Sequence, residues 1–126
     1  MPDPLEAIPH LDEAMRNCIA NCSACHNVCM ATVEHCLRQA RDDAGADLIR
    51  RLLDCAQACD ISRDLMLRTS PLHPRYCRGC AHACGSCASA CEKFPDDDVL
   101  RVCAELCRRC MESCRAMGGP EPDGHG

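Results

Sequence analysis

The run from Cys77 to Cys91, CRGCAHACGSCASAC, constrains this chain more than any other stretch, because its five cysteines fall at steps of three, four, three and four. An α-helix turns once per 3.6 residues, so alternating threes and fours keep every thiol on one face, with neighbouring Cβ atoms roughly 5–6 Å apart. The same spacing runs through Cys18, Cys22, Cys25, Cys29 and Cys36, through Cys55 and Cys59, and through Cys103, Cys107, Cys110 and Cys114. One device, a helix carrying a ladder of thiols, is used four times.

With 126 residues the chain is long enough for one domain and short of a second. It has no Trp, one Tyr and one Phe, and 16 Cys stand where large apolar side chains would fill an interior. Thiols at this density mean a disulfide framework in an export context and metal or redox work in a reducing one. The first residues, MPDPLEAIPH, hold two acids and three prolines with no basic or apolar leader pattern, so a cytosolic location is expected. No run reaches transmembrane length. Adjacent cysteines on one helix are also poorly placed for unstrained disulfides with each other. The formal charge of −5, with Arg interleaved among Asp and Glu, argues against a nucleic-acid partner. No nucleophile–base pair or phosphate loop is present, and a non-enzymatic role is expected.

Residues 1–9 read as a lead-in, in which Asp3-Pro4 can start a turn of helix and Pro9 interrupts it. A first helix is predicted from about His10 to Arg41, on the order of 45 Å long, with Met15 and its five cysteines along one side. Asp42-Asp43-Ala44-Gly45 signals a turn, and a second helix follows from about Ala46 to Arg68. Its inner stripe runs from Leu48 and Leu52 through Cys55 and Cys59 to Ser62 and Met66. Thr69 to Pro74 forms the next connection, its prolines tolerable only before or within the first turn of a third helix ending near Glu92. Lys93-Phe94-Pro95-Asp96 makes the third turn, and Asp96, Asp97 and Asp98 suit the start of a fourth helix. That helix is stopped by Gly118-Gly119-Pro120, and residues 118–126, with His125, are expected to be a disordered tail.

Short connections between four helices predict an all-α, antiparallel up-down-up-down four-helix bundle over residues 10–117, with a Cys-lined core. The connectivity then gathers Met15, Met66, His73 and Met117 at one end, a mouth of soft ligands. Leu37, Leu48, Leu52, Phe94 and Leu100 are expected to seal the other. Thiolate and thioether donors select Cu(I), zinc or iron–sulfur clusters. Cu(I) accepts two or three sulfurs, which a C-x3-C or C-x2-C pair supplies without a folded loop, whereas zinc and iron–sulfur clusters ordinarily require four ligands. About one Cu(I) per thiolate also neutralises a core whose unpaired charge would cost many kcal/mol.

On these features the chain resembles the bacterial copper storage proteins, cysteine-lined four-helix bundles that hold many Cu(I) ions. The resemblance covers about residues 10 to 117. It rests on the C-x3-C and C-x2-C runs of the first, third and fourth helices, the sparser Cys55-Ala56-Gln57-Ala58-Cys59 of the second, Met15-x2-Cys18, and His73-x3-Cys77. It implies storage and detoxification of Cu(I), uptake through the His and Met mouth, and, as in the cytosolic branch, assembly as a homotetramer. A copper donor or acceptor protein is a further expected partner.

The competing class is an iron–sulfur or zinc-cluster protein such as a ferredoxin-like electron carrier. Cys77-x2-Cys80-x3-Cys84-x2-Cys87 resembles a ferredoxin run superficially, but ferredoxin ligands lie on a wrapping loop, and here the spacing continues as helix. His26, His35 and His82 sit beside ladder positions as flank or surface residues, and His10 could join the mouth. Ile49, Leu53, Ile61 and Leu65 form a second apolar stripe on the second helix, serving either as padding between helices or as a subunit interface.

Overall fold

The computed structural model describes residues 3–39 and 45–120. A short 3₁₀ helix, Pro4–Ala7, precedes four α-helices: α1 (Glu13–Gln39), α2 (Gly45–Leu67), α3 (His73–Cys91) and α4 (Asp98–Gly118). Each packs against its neighbours in chain order and α4 closes back on α1, giving the predicted four-helix bundle. Among the described residues, no helix is long and apolar enough to cross a membrane.

Local chemistry sets the helix ends. Asp3 caps the 3₁₀ turn, its carboxylate accepting from the Leu5 N–H at 2.9 Å. The first long helix begins at Glu13 and not near His10, because the Asp12 carboxylate accepts from the Met15 N–H at 2.8 Å and takes the N-cap role. At the end of α2 the Ser70 N–H reaches the Leu65 carbonyl at 2.9 Å and the Thr69 N–H the Met66 carbonyl at 3.0 Å. This is a Schellman closure with a β-branched residue at φ +49°, where glycine is the usual occupant. Pro74 sits in the first turn of α3, as its missing N–H requires. Asp97 caps α4 by accepting from the Val99 and Leu100 N–H groups at 3.0 and 3.2 Å, and Gly119 at φ +67° ends it. The expected end of the first helix at Arg41, the Asp42-Asp43-Ala44 turn and the tail from residue 121 lie outside the described residues.

The two ends of the bundle differ. At one, His10 Nε2 lies 3.3 Å from the Leu67 carbonyl, Ser62 Oγ donates to the Tyr76 carbonyl at 3.2 Å, and Arg78 donates to the Gly118 carbonyl, so the start of α1, the end of α2, the start of α3 and the end of α4 meet. At the other, Leu48, Leu52 and Leu100 are fully buried, with Phe94 packed partly against the core. Each buried Leu contributes roughly 1.5–3 kcal/mol. Leu37, expected in that seal, is instead 59% exposed. It lies seven residues from the exposed Met30, two turns along the outer face of α1, off the Cys36 stripe. The second apolar stripe of α2 is split: Leu65 is buried and Ile49 half-buried, while Leu53 and Ile61 face outward.

Candidate metal centre

All sixteen cysteines are buried free thiols. The axis of the bundle is therefore a column of sulfur, built because every ladder face turns inward. Contacts between helices are short: Cys22 to Cys114 at 3.5 Å, Cys55 to Cys84 at 3.5 Å, Cys25 to Cys55 at 3.6 Å and Cys25 to Cys107 at 3.7 Å. Such separations are far beyond the roughly 2.05 Å of a disulfide and suit sulfurs sharing one metal ion.

Five groups of four thiols stand close enough to hold a metal. Taken from the mouth inward they are Cys22, Cys80, Cys110 and Cys114; Cys59, Cys80, Cys84 and Cys110; Cys25, Cys55, Cys59 and Cys84; Cys25, Cys29, Cys55 and Cys107; and Cys29, Cys87, Cys103 and Cys107. Each shares two members with the next, so the array is continuous. Cys18 extends it at the mouth, 3.7 Å from Cys114, and Cys77, also buried, neighbours Cys114. At the far end Cys91 adjoins Cys103 and Cys87, and Cys36 is buried.

Ladder spacing also places two buried hydroxyls on the inner faces. Thr32 stands between Cys29 and Cys36, and its Oγ1 donates to the Val28 carbonyl at 2.6 Å. Ser62 follows Cys59 in the same way on α2. These are the only buried polar or charged side chains among the described residues, so no cation lies inside to offset thiolate charge. Donation from neighbouring S–H groups favours the thiolate at Cys22, led by Cys110 and Cys114, and in the same way at Cys25, Cys55, Cys80 and Cys103, against burial. Further ionisation is resisted: crowding thiols, followed by burial, hold Cys59, Cys107 and Cys114 well above the ordinary thiol range. Sixteen thiolates cannot coexist in an interior without a buried cation, so the empty column keeps protons on most of its sulfurs and becomes a full thiolate column only when metal replaces them.

The mouth residues occupy the expected end. Met66 is fully buried, and Met15 and Met117 are half-buried against the core. Burial lowers the pKa of His73 and keeps it neutral, and its Nδ1 is the one buried side-chain nitrogen or oxygen without a partner among the described residues. A neutral imidazole nitrogen left unsatisfied at this end of the bundle is a donor atom available to a ligand. His26 and His35 are more than flank residues. His26 Nδ1 donates to the Ala56 carbonyl at 3.0 Å, tying α1 to α2, and His35 Nε2 reaches Asp97 at 2.9 Å, tying α1 to the cap of α4. Each faces a partner on the next helix, which spacing along one helix could not show. His10 contacts Leu67 from an exposed position.

The copper storage protein family model matches residues 11–119. Comparison with curated protein sequences returns no match. Among solved structures, Nmul_A1745 from Nitrosospira multiformis is 34% identical with a TM-score of 0.78, covering 85% of this chain and 96% of its own. The Cu(I)-bound copper storage protein BsCsp3 is 30% identical with a TM-score of 0.79, covering 85% and 100%. The Streptomyces lividans copper storage protein Ccsp, loaded with 10 copper equivalents, is 29% identical with a TM-score of 0.77, covering 90% and 94%. The family match spans all four thiol-bearing helices and the relatives superimpose along the same bundle, so the chain belongs to the copper storage protein family.

Proposed function

We propose that this protein stores many Cu(I) ions in the cytosol along its thiolate column, with no catalytic role. The observation that carries the reading is the overlap of the five tetrads. Three of them are disjoint, and three tetrahedral zinc sites could fill them, but Zn²⁺ with four thiolates keeps about two negative charges per site. That charge would be stranded in an interior with no buried cation. One Cu(I) per thiolate leaves the column neutral and uses the shared sulfurs as bridges.

All sixteen cysteines serve as storage ligands, and Met15, Met66, His73 and Met117 pass copper in and out. The bundle spans residues 10–117, and the exposed Leu53 and Ile61 are consistent with assembly into a homotetramer that exchanges copper with donor and acceptor proteins. Anaerobic titration of the reduced protein with Cu(I) against a competing chelator tests the function. A break near one copper per cysteine is expected; a break at a few metals, or iron or zinc in the protein as isolated, would overturn the reading.

A further inference from the structure

The end of the bundle proposed for copper entry is covered. Met66 is the penultimate residue of α2 and would meet water in the last layer of an open bundle, yet it is fully buried. The unpartnered Nδ1 of His73, at the first residue of α3, is buried too. The α2–α3 connection is not the cover, since its one large apolar side chain, Leu72, turns outward at 52% exposure. Gly119 and Pro120 are exposed as well. Among the described residues that leaves the segment before α1. Its Leu5, Ile8 and Leu11 stand at steps of three, joined in series by hydrogen bonds from the Ile8 N–H to the Leu5 carbonyl at 3.1 Å and from the Leu11 N–H to the Ile8 carbonyl at 3.2 Å. At three residues per turn, side chains with that spacing share one face. That face meets the core: Leu11 is 3% exposed, and Leu5 and Ile8 are half-buried against the core cluster. Asp3, Pro4, Glu6, Ala7, Pro9 and His10 are all exposed. The segment also bridges two helix ends at this mouth. Arg16 of α1 donates to the Leu11 carbonyl at 2.7 Å, and His10 Nε2 lies 3.3 Å from the carbonyl of Leu67, the residue after Met66.

We infer that residues 3–11 form a lid over the port, and that copper enters and leaves the column while this lid is lifted. The inference rests on the assignment of Met15, Met66, His73 and Met117 as the port. A short 3₁₀ segment with few apolar contacts opens more readily than the long helices beneath it. The fraction of time the lid is open multiplies the inward and the outward rate alike. Loosening it therefore quickens both and leaves the amount of copper held unchanged.

The test is anaerobic stopped-flow on the full reduced chain, with uptake from the acetonitrile complex of Cu(I) and removal from the loaded protein by excess bathocuproine disulfonate. Leu5→Ser/Ile8→Ser strips the lid's apolar face without changing charge. Both rates should rise about tenfold, equivalent to about 1.4 kcal/mol of lost closure, which is within what burial of two half-buried aliphatic side chains supplies. Titrated capacity should stay at the wild-type value, which also shows the bundle intact. Leu37→Ser/Val102→Ser makes the same kind of change at exposed positions toward the far end and should leave both rates near wild type. His10→Ala, on an exposed side chain, reads the same step should the serine pair not fold: losing a tether quickens uptake, whereas losing an entry ligand would slow it. Unchanged rates in the serine pair at full capacity, equal quickening by the far-end pair, or slower uptake in His10→Ala would overturn the lid. Wild-type uptake rates in Met66→Leu/His73→Gln would instead remove the port assignment beneath it, and a wild-type chain that takes up no copper would remove the storage reading.

Discussion

Replacing Cys107 and, separately, Cys18 by Ala separates a continuous column from discrete sites. Cys107 Sγ lies 3.7 Å from Cys25, 3.8 Å from Cys29 and 4.0 Å from Cys55, and it belongs to two of the five tetrads. Cys18 touches Cys114 at 3.7 Å and belongs to none. In a neutral column each lost thiolate removes one negative charge. Retaining the matching Cu(I) would strand a buried positive charge at a cost of several kcal/mol. At about 1.4 kcal/mol per tenfold, that weakens the ion by at least about a hundredfold. Each variant should therefore lose about one copper, although the two cysteines have very different numbers of neighbours. Loss of one buried heavy atom should cost the empty protein about 1 kcal/mol, read as a small shift in denaturant midpoint that shows the bundle is still folded. Anaerobic titration against a chelator gives the capacity. If Cys107→Ala loses several coppers while Cys18→Ala loses none, the charge argument is wrong and the sites are discrete.

Met66→Leu with His73→Gln keeps the mouth's volume but removes a thioether and an imidazole. Stopped-flow uptake should slow severalfold while titrated capacity changes little, and equal loss of both would contradict the port. Loading at neutral pH should release protons, approaching one per copper and measurable by indicator dye, because most of the column is held as thiols; an absence of release would mean that it is already ionised. His73 has its pKa lowered by burial, so the unfolded chain binds the extra proton first, and stability of the empty protein should fall as pH drops through the ordinary histidine value of 6.5. In His73→Gln that part of the denaturation profile should flatten. Thr69→Gly should raise stability by about 1 kcal/mol in thermal melts by relieving a left-handed conformation that a β-branched residue resists.

The helical ladders were legible in the sequence because cysteine periodicity is a property of one helix and needs no partner. The same spacing placed Ser62 and Met66 on the inner face of α2, and the prolines and acids near residues 71–74 and 96–98 marked two of the helix starts. Soft-donor chemistry and charge balance followed from composition alone, and with them the metal. Position relative to other helices was not legible. Leu37 looked like part of the seal, but its direction depends on where α2 and α4 lie around α1, and it faces outward. His26 and His35 gained their partners only when Ala56 and Asp97 came opposite them. The order of sharing among the tetrads and the orphaned nitrogen of His73 are likewise relations between helices. Periodicity along one helix determines which face is sulfur. Only packing the four faces together, with sulfurs 3.5–4.0 Å apart across the axis, decides that the faces form one continuous column and not four separate ladders.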